Sequence, residues 1–471
     1  MTPYAAAGLR EIFGTDLILE DSEKQNRYSR DQVAGRTYAT MPSAVVFPTR
    51  SGQVADLMRW ANRTGVPVTP RGGGSGLAGA AIPVPGGVVC AFERMNRILE
   101  IDTENMMVRL EPGVITNHLD EALRPHGLFF AGYPMSEDIC FVGGNAAENA
   151  GGGRAVKYGT TGTYVVGADV VTPTGDVLHL GGKRLKDVTG YDLLHLMIGS
   201  EGTLGLFTSL TIRVIPRPAV RGVVLLSFPD SAAAAASVAV LKRSPALSAV
   251  EFIDGETARR ASESLPRRKR TVIPDHTGAF LLVEFDGPDA AVVSHELEQA
   301  SLRLPDAVVV ARGTDEDSSE RAWALRKAVP WWVKRTAPDY HSVEDVVVPP
   351  AEIPALVAHA DYLREKYQVP IAVFGHAGDG NVHINSMKPA EMPPEEWPNL
   401  IDRLSRDLYG RVRELGGTIS GEHGIGRKRA RYLELALGPA EIATMHAIKR
   451  ALDPNNVLNP GVIFPVDLPR S

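Results

Sequence analysis

His376 and His383 lie seven residues apart in Phe374-Gly375-His376-Ala377-Gly378-Asp379-Gly380-Asn381-Val382-His383-Ile384-Asn385, and together they could hold a divalent metal. On a straight strand that spacing would put them on opposite faces, because side chains alternate with period two. The stretch from Ala377 to Asn381 is turn chemistry between two apolar runs, Ile371 to Phe374 and Val382 to Ile384. A hairpin is therefore expected, with the imidazoles level across the pair and Asn385 pointing the same way. Ser420-Gly421-Glu422-His423-Gly424-Ile425-Gly426 adds a carboxylate and a third imidazole on another glycine-loosened backbone. Two His and one Glu make a divalent-metal set that leaves positions open for substrate or water. Unrelated surface or core histidines are the competing reading, and glycines around every candidate ligand weigh against it.

The elements that must position these residues are preceded by an α/β texture. Residues 1 to about 40 read as a polar helical lead-in with Leu9, Ile12 and Phe13 at helical spacing. Ala44 to Phe47 is a short buried-type strand, Ser51 to Arg63 an amphipathic helix with Ser51 as N-cap, and Val66 to Thr69 the next strand. That strand runs into Arg71-Gly72-Gly73-Gly74-Ser75-Gly76-Leu77-Ala78-Gly79-Ala80, whose successive N–H groups can form a concave nest for phosphate oxygens. No Gly-Lys-Ser/Thr closes the loop, and a turn rather than a helix follows it, so neither an NTPase loop nor a Rossmann fingerprint fits well. A second glycine-rich segment spans Gly132 to Gly162, and its small residues imply a long flat object against the backbone. Pro216-Arg217-Pro218 marks a domain boundary, beyond which strands and an Ala-rich helix replace the glycine loops, as in an α+β domain.

A length of 471 residues carries a prior of about three domains, and a formal charge of −6 gives no reason to expect nucleic acid. Cys90 and Cys140 are the only cysteines, which argues against disulfide frameworks, thiolate zinc and cysteine-held iron–sulfur clusters. No apolar run approaches the ~18 residues of a spanning helix, and the N-terminus lacks a basic region followed by an apolar core. A cytoplasmic protein is expected, or one peripheral at the inner membrane.

Seven motifs, taken together and in order, resemble one family. They are Arg71-Gly-Gly-Gly-Ser-Gly-Leu77, Val142-Gly-Gly-Asn-Ala-Ala-Glu-Asn-Ala-Gly-Gly152, Thr189-Gly-Tyr-Asp-Leu193, Gly199-Ser-Glu-Gly-Thr-Leu-Gly205, Gly375 to His383, Gly421-Glu-His-Gly-Ile-Gly426 and Leu458-Asn-Pro-Gly461. The chain resembles the FAD-linked 2-hydroxyacid dehydrogenases, comprising the glycolate oxidase flavoprotein subunit and the D-lactate and D-2-hydroxyglutarate dehydrogenases. These belong to the vanillyl-alcohol-oxidase-type FAD superfamily. The resemblance implies an α+β protein: a PCMH-type FAD-binding domain of two α/β subdomains over 1–218, completed by 455–471, and an antiparallel-sheet cap domain over 219–454.

Carried over residue by residue, the resemblance implies FAD contacts from Arg71, Gly72, Gly73, Gly74, Ser75, Gly76, Gly79 and Ala80. It implies further contacts from Pro134, Ser136, Gly143, Gly144, Asn145, Asn149, Gly151, Tyr158, Gly159, Glu201 and Asn459. With no histidine between Arg71 and Ala80, the FAD is expected to be noncovalent. His376, His383 and Glu422 match metal ligands, with zinc or manganese expected, His423 matches the base, Asn385 a substrate contact and Arg326 the grip on the substrate carboxylate. Where the D-2-hydroxyglutarate enzymes carry Lys-Tyr-Asp this chain reads Val343-Glu344-Asp345, which favours glycolate, D-lactate or another monocarboxylate. Electrons would pass from FAD to quinone, another flavoprotein, an iron–sulfur subunit or oxygen, in a homodimer or a heteromeric complex. Competing readings are a dicarboxylate dehydrogenase, a non-redox FAD enzyme of ether-lipid synthesis, a non-catalytic subunit, and a flavin-free metal hydrolase. Trp331-Trp332 after a helix-ending Pro330 would be pocket wall or core, and Arg267 to Arg270 a solvated loop or a site for an acidic partner or lipid.

Overall fold

A computed structural model describes residues 2–35 and 38–465. The chain forms two compact units, one of residues 1–151, 160–217 and 422–471, the other of residues 152–159 and 218–421. The chain re-enters the first unit at Glu422, not at residue 455. The reason lies in the backbone: Arg427 and Lys428 both donate their N–H to Ala78 O, which binds this stretch to the first glycine loop. Among the described residues no helix is long and apolar enough to cross a membrane.

The first unit begins with strands β1 (Ile18–Leu19), β2 (Ala44–Val46), β3 (Val68–Arg71) and β4 (Val88–Ala91) in the order β1-β2-β4-β3. β4 runs parallel to β2 and β3, so β2 and β3 need a crossover, supplied by the helix Ser51–Thr64. Val54, Leu57, Met58, Trp60 and Ala61 form the buried stripe of that helix, and Gly65 in left-handed conformation (φ 69°) ends it. Ser51 is its first residue, and Arg50 holds the cap position without a side-chain bond. Trp60 also donates its Nε1–H to Ala5 O at 3.1 Å, tying down the N-terminal helix Pro3–Phe13, which buries Leu9 and Phe13 against the same core. Val457 and Leu458 close that core from the C-terminal end, where Leu458 pairs with Val68.

The unit continues with β5 (Ile98–Asp102), β6 (Met107–Leu110), β7 (Leu128–Phe129), β8 (Val165–Val171), β9 (Val177–Gly181), β10 (Leu206–Arg213) and β11 (Ile215–Pro216). Five of these make an antiparallel sheet ordered β5-β6-β10-β8-β9, and β7 pairs with β11. The β8–β9 hairpin turns at Pro173 to Asp176, where Gly175 takes φ 89°.

The second unit is a seven-stranded sheet of β12 (Val220–Phe228), β13 (Leu247–Asp254), β14 (Ala279–Gly287), β15 (Val308–Gly313), β16 (His341–Val347), β17 (Ile371–His376) and β18 (Asn381–Met387). Its order is β15-β12-β14-β13-β17-β18-β16, every pair antiparallel. Four of the helices that cover it start on an aspartate N-cap, Asp230, Asp254, Asp289 and Asp315, each accepting an N–H of the first turn. Glu316–Thr336 runs straight through Pro330 instead of ending there. A proline inside a helix forfeits the bond to the carbonyl four residues back, here that of Arg326, and the helix is held by Trp323, Leu325, Ala328 and Val329, all buried. Trp331 on the far side of that helix is 65% exposed, so it is not core.

Candidate functional site

Ladder partners share a face, so the register says which side chains of the second unit stand together. Glu251 on β13 is paired with His376 on β17, Phe374 with His383 on β18, and His383 with Asp345 on β16. The two histidines are therefore not level: His376 faces Asn381, and His383 lies two pairs further along the ladder, opposite Phe374. The offset is even, so both rings stay on one face, their centroids 5.2 Å apart and edge to face. Asn385 follows on the same face, and its buried Oδ1 has no hydrogen-bond partner among the described residues. Glu284 and Asp286 on β14 extend the same row of polar groups.

The acidic groups in that row are each answered by a counter-charge or a donor. Arg326, only 2% exposed on the helix Glu316–Thr336, donates Nε–H to Glu251 Oε2 at 2.5 Å and lies 4.8 Å from the centre of the Phe374 ring. Glu251 Oε1 meets His376 Nδ1 at 2.6 Å. Burial pushes the Glu251 carboxyl up, but His376 and Arg326 outweigh it and hold the group below its ordinary range. The carboxyl of Glu284 is likewise raised by burial and lowered further by Arg154, to about 2; Arg154 reaches it with two hydrogen bonds at 2.7 and 2.9 Å. Tyr158 bonds Asp286 at 2.7 Å, and Tyr158 and Gly159 belong to the second unit. Asp345, fully buried, accepts from Asn381 Nδ2, Ser420 Oγ and the N–H of Gly421, and lies 3.6 Å from His383 Nδ1. Glu422 is the next residue along the chain from Gly421.

His376 Nδ1 is engaged by Glu251, so a metal on this ring would be taken by Nε2, as at metal-bound imidazoles whose other nitrogen is hydrogen-bonded. Among the described residues Asp345, His383, Glu422 and His423 each offer a ligand atom within 4.8 Å of the others, a group that does not include His376, and these imidazole and carboxylate donors fit a divalent cation of the zinc or manganese type.

In the first unit the glycine loops come together. A Cβ on Gly73 would sit 2.1 Å from Ile139 O, and one on Gly72 would sit 3.6 Å from the Cα of Gly144. The two loops thus abut closely, with the Phe141 Cβ 3.5 Å from the same point at Gly72, while a Cβ on Gly144 would have no neighbour within 4 Å. Arg71 turns back beneath its own loop and donates to Arg30 O, Ala81 O and Arg27 O at 2.9, 3.4 and 3.1 Å. Gly74, at φ 66°, passes directly over it: a Cβ there would lie 2.0 Å from Nη2. Asp31 accepts the Gly79 N–H at 2.9 Å, and burial pushes its carboxyl up to about 6. The lead-in segment around residues 27–31 thereby serves as the floor of the loop.

Asn145 bonds Thr116 and Asn149 bonds Thr160 and the N–H of Gly162, so both brace the second loop. Ser136 O caps the turn at Ile139 and Cys140. Glu201, at φ 52°, accepts the N–H groups of Ile425 and Gly426 at 2.7 and 2.6 Å, and burial pushes its carboxyl up to about 7. It thereby carries the segment that begins with Glu422 and His423, which stand 3.5 Å apart. Asn459 joins Ala80 O to Glu201 O, and its Oδ1, buried, has no hydrogen-bond partner among the described residues.

Arg427, Glu251 and Asp345 escaped the sequence reading. Arg427 donates Nε–H to Ile82 O, and its buried Nη2 has no hydrogen-bond partner among the described residues. Burial lowers its pKa to about 10 against the opposing pull of Asp31, and its Cβ lies beside Gly79. Abutting Cβ-free loops with a buried guanidinium beside them fit a dinucleotide such as FAD. The run Arg267 to Arg270 forms a short exposed turn in which Lys269 pairs with Glu320.

Comparison with known proteins gives the family. Residues 42–181 match the FAD binding domain and residues 217–463 the C-terminal domain of FAD linked oxidases. Glycolate oxidase subunit GlcD of Bacillus subtilis is 37% identical over 98% of this chain and 96% of its own length. A D-lactate dehydrogenase of Anaerostipes hadrus is 35% identical over 98% of both chains. The solved structure of p-cresol methylhydroxylase superposes with a TM-score of 0.80 over 99% of this chain and 97% of its own, at 21% identity, which speaks for the fold alone. The chain belongs to the FAD-linked oxidase family, with a PCMH-type FAD-binding domain followed by the family's C-terminal domain.

Proposed function

We propose that the chain oxidises a D-2-hydroxyacid, of the glycolate or D-lactate class, to the 2-oxoacid. The observation that carries this reading is the single sheet face on which His376, His383 and Asn385 stand together, with Arg326 of the helix Glu316–Thr336 against it, Arg326 and His376 sharing one carboxylate. The names of the relatives, a glycolate oxidase subunit and a D-lactate dehydrogenase, support the same class. Arg326 has Nε engaged, so Nη1 and Nη2 present the parallel pair of donors that suits a carboxylate. With the acid held there, C2 and its hydroxyl are oriented toward the imidazoles.

His376 and His383 with Glu422 would hold the metal, and Asp345 keeps the backbone of Gly421, one residue before Glu422, fixed on the sheet. His423 takes the hydroxyl proton, since imidazole is the side chain that exchanges protons near neutrality. The bound metal supplies polarisation of the hydroxyl, and FAD supplies the hydride acceptor. Val343, register partner of Asn385, puts an apolar group where a second carboxylate would want a cation, which favours a monocarboxylate. Cys90 and Cys140 are buried single thiols, so a cluster for onward electron transfer has to come from a partner subunit unless a quinone, another flavoprotein or oxygen is the acceptor.

The test is anaerobic: D- and L-2-hydroxyacids are added to the FAD-loaded protein and the flavin absorbance is followed. Bleaching by glycolate or a D-acid, with L-acids inert, is expected. A flavin that no 2-hydroxyacid reduces ends this reading.

A further inference from the structure

Glu251 is the one acidic residue inside Leu247-Ser248-Ala249-Val250-Glu251-Phe252-Ile253, and the strand is buried along its whole length. A carboxylate in such a place costs several kcal/mol unless its charge and lone pairs are answered. Both are answered here, by different elements. Oε2 receives Arg326 Nε–H from the helix Glu316–Thr336, and Oε1 meets Nδ1 of His376 on β17. The second contact puts the ring proton on Nδ1 and so assigns Nε2 as the ring's unprotonated nitrogen; the first engages Nε, which fixes the plane of the guanidinium and assigns carboxylate binding to Nη1 and Nη2. Phe374 backs the guanidinium from the same face of the sheet.

Space has been left for this carboxylate. A Cβ on Gly153 would lie 2.6 Å from Glu251 Oε1 and 3.2 Å from the Trp323 ring, so any side chain at 153 would push the oxygen that His376 uses. Glu284, on the same face and also fully buried, pairs with Arg154, Ser248 and Trp323 and touches neither Arg326 nor His376 by hydrogen bond. It is the natural control.

We propose that Glu251 is a shared positioning residue: one carboxylate sets both the carboxylate-binding guanidinium and the metal-ligating imidazole, so that affinity for metal and affinity for substrate rise and fall together. This rests on the function proposed above and goes beyond it by assigning a residue outside the ligand set.

The experiment measures zinc affinity of the FAD-loaded protein by competition with a chromophoric chelator, alongside kcat and KM for the 2-hydroxyacid. Glu251→Gln is expected to weaken zinc binding by about 10- to 100-fold and to raise KM by a similar factor. Glu284→Gln is expected to leave zinc affinity within about threefold of wild type, as a group without contact to a ligand should. Gly153→Ala, which keeps the charge but displaces Oε1, should shift zinc affinity in the same direction as Glu251→Gln, and it carries the test if Glu251→Gln does not fold. Wild-type protein that binds no zinc or manganese would remove the underlying metal reading. Wild-type protein that binds zinc, with both variants binding it equally well, would overturn the role of Glu251 while leaving that reading intact.

Discussion

Arg71 stands at the head of the first glycine loop, and two roles for it predict opposite results for one substitution. As a cation against the FAD pyrophosphate it could be replaced by lysine with modest loss, since an ammonium also binds phosphate. The structure points to the other role, in which three backbone carbonyls, of Arg27, Arg30 and Ala81, converge on its guanidinium, which is 8% exposed beneath Gly74. Lysine has one nitrogen on a flexible stem and cannot serve three carbonyls arranged around a planar fork. Arg71→Lys therefore loses about two charge-assisted hydrogen bonds, or about 3 kcal/mol after allowing for the long contact to Ala81. If that loss falls on the ordered loop, FAD affinity drops about 100-fold. The assay is titration of FAD into apoprotein followed by flavin fluorescence, with the thermal midpoint of the apoprotein as a check on folding. A dissociation constant within about threefold of wild type would refute the reasoning and return Arg71 to direct phosphate contact.

His423→Ala should lower turnover by about 10²- to 10⁴-fold while FAD remains bound, read by steady-state kinetics and flavin content of the purified protein. Glu284→Gln should destabilise the second unit by about 3 kcal/mol at neutral pH, since a carboxyl lowered from 4.5 to about 2 gives that much to the folded state. Because the folded-state value is depressed, this contribution is full above pH 4.5 and is lost as pH falls toward 2, so thermal midpoints of wild type and variant should converge in acid.

Residues of rare type in dense patterns were legible from the chain alone. The glycine loops, the His376 and His383 pair and the Glu422-His423 pair fall in this group, because a Cβ-free backbone and clustered imidazoles have few other uses. The turn at Ala377 to Asn381 implied a hairpin, but the register that makes the histidines diagonal depends on which residues the ladder pairs, and composition does not fix that. Pro330 read as a helix end because local geometry disfavours continuation, and tertiary packing of Trp323, Leu325 and Val329 overrode it. Glu251 and Arg427 left no local signal. A lone Glu in an apolar strand looks like any misplaced charge until the helix bearing Arg326 is laid over it. The role of the lead-in was hidden for the same reason, since Asp31 and Arg71 meet only in three dimensions.

The central claim is that the imidazoles of the cap sheet hold a divalent metal that the oxidation of a 2-hydroxyacid requires. Its most direct test is the anaerobic rate of flavin reduction by the best acid, measured by stopped flow before and after dialysis against a chelator. The rate should fall by at least about 100-fold on metal removal and return with added zinc or manganese, FAD staying bound throughout. An unchanged rate in protein shown to be free of metal would contradict the account.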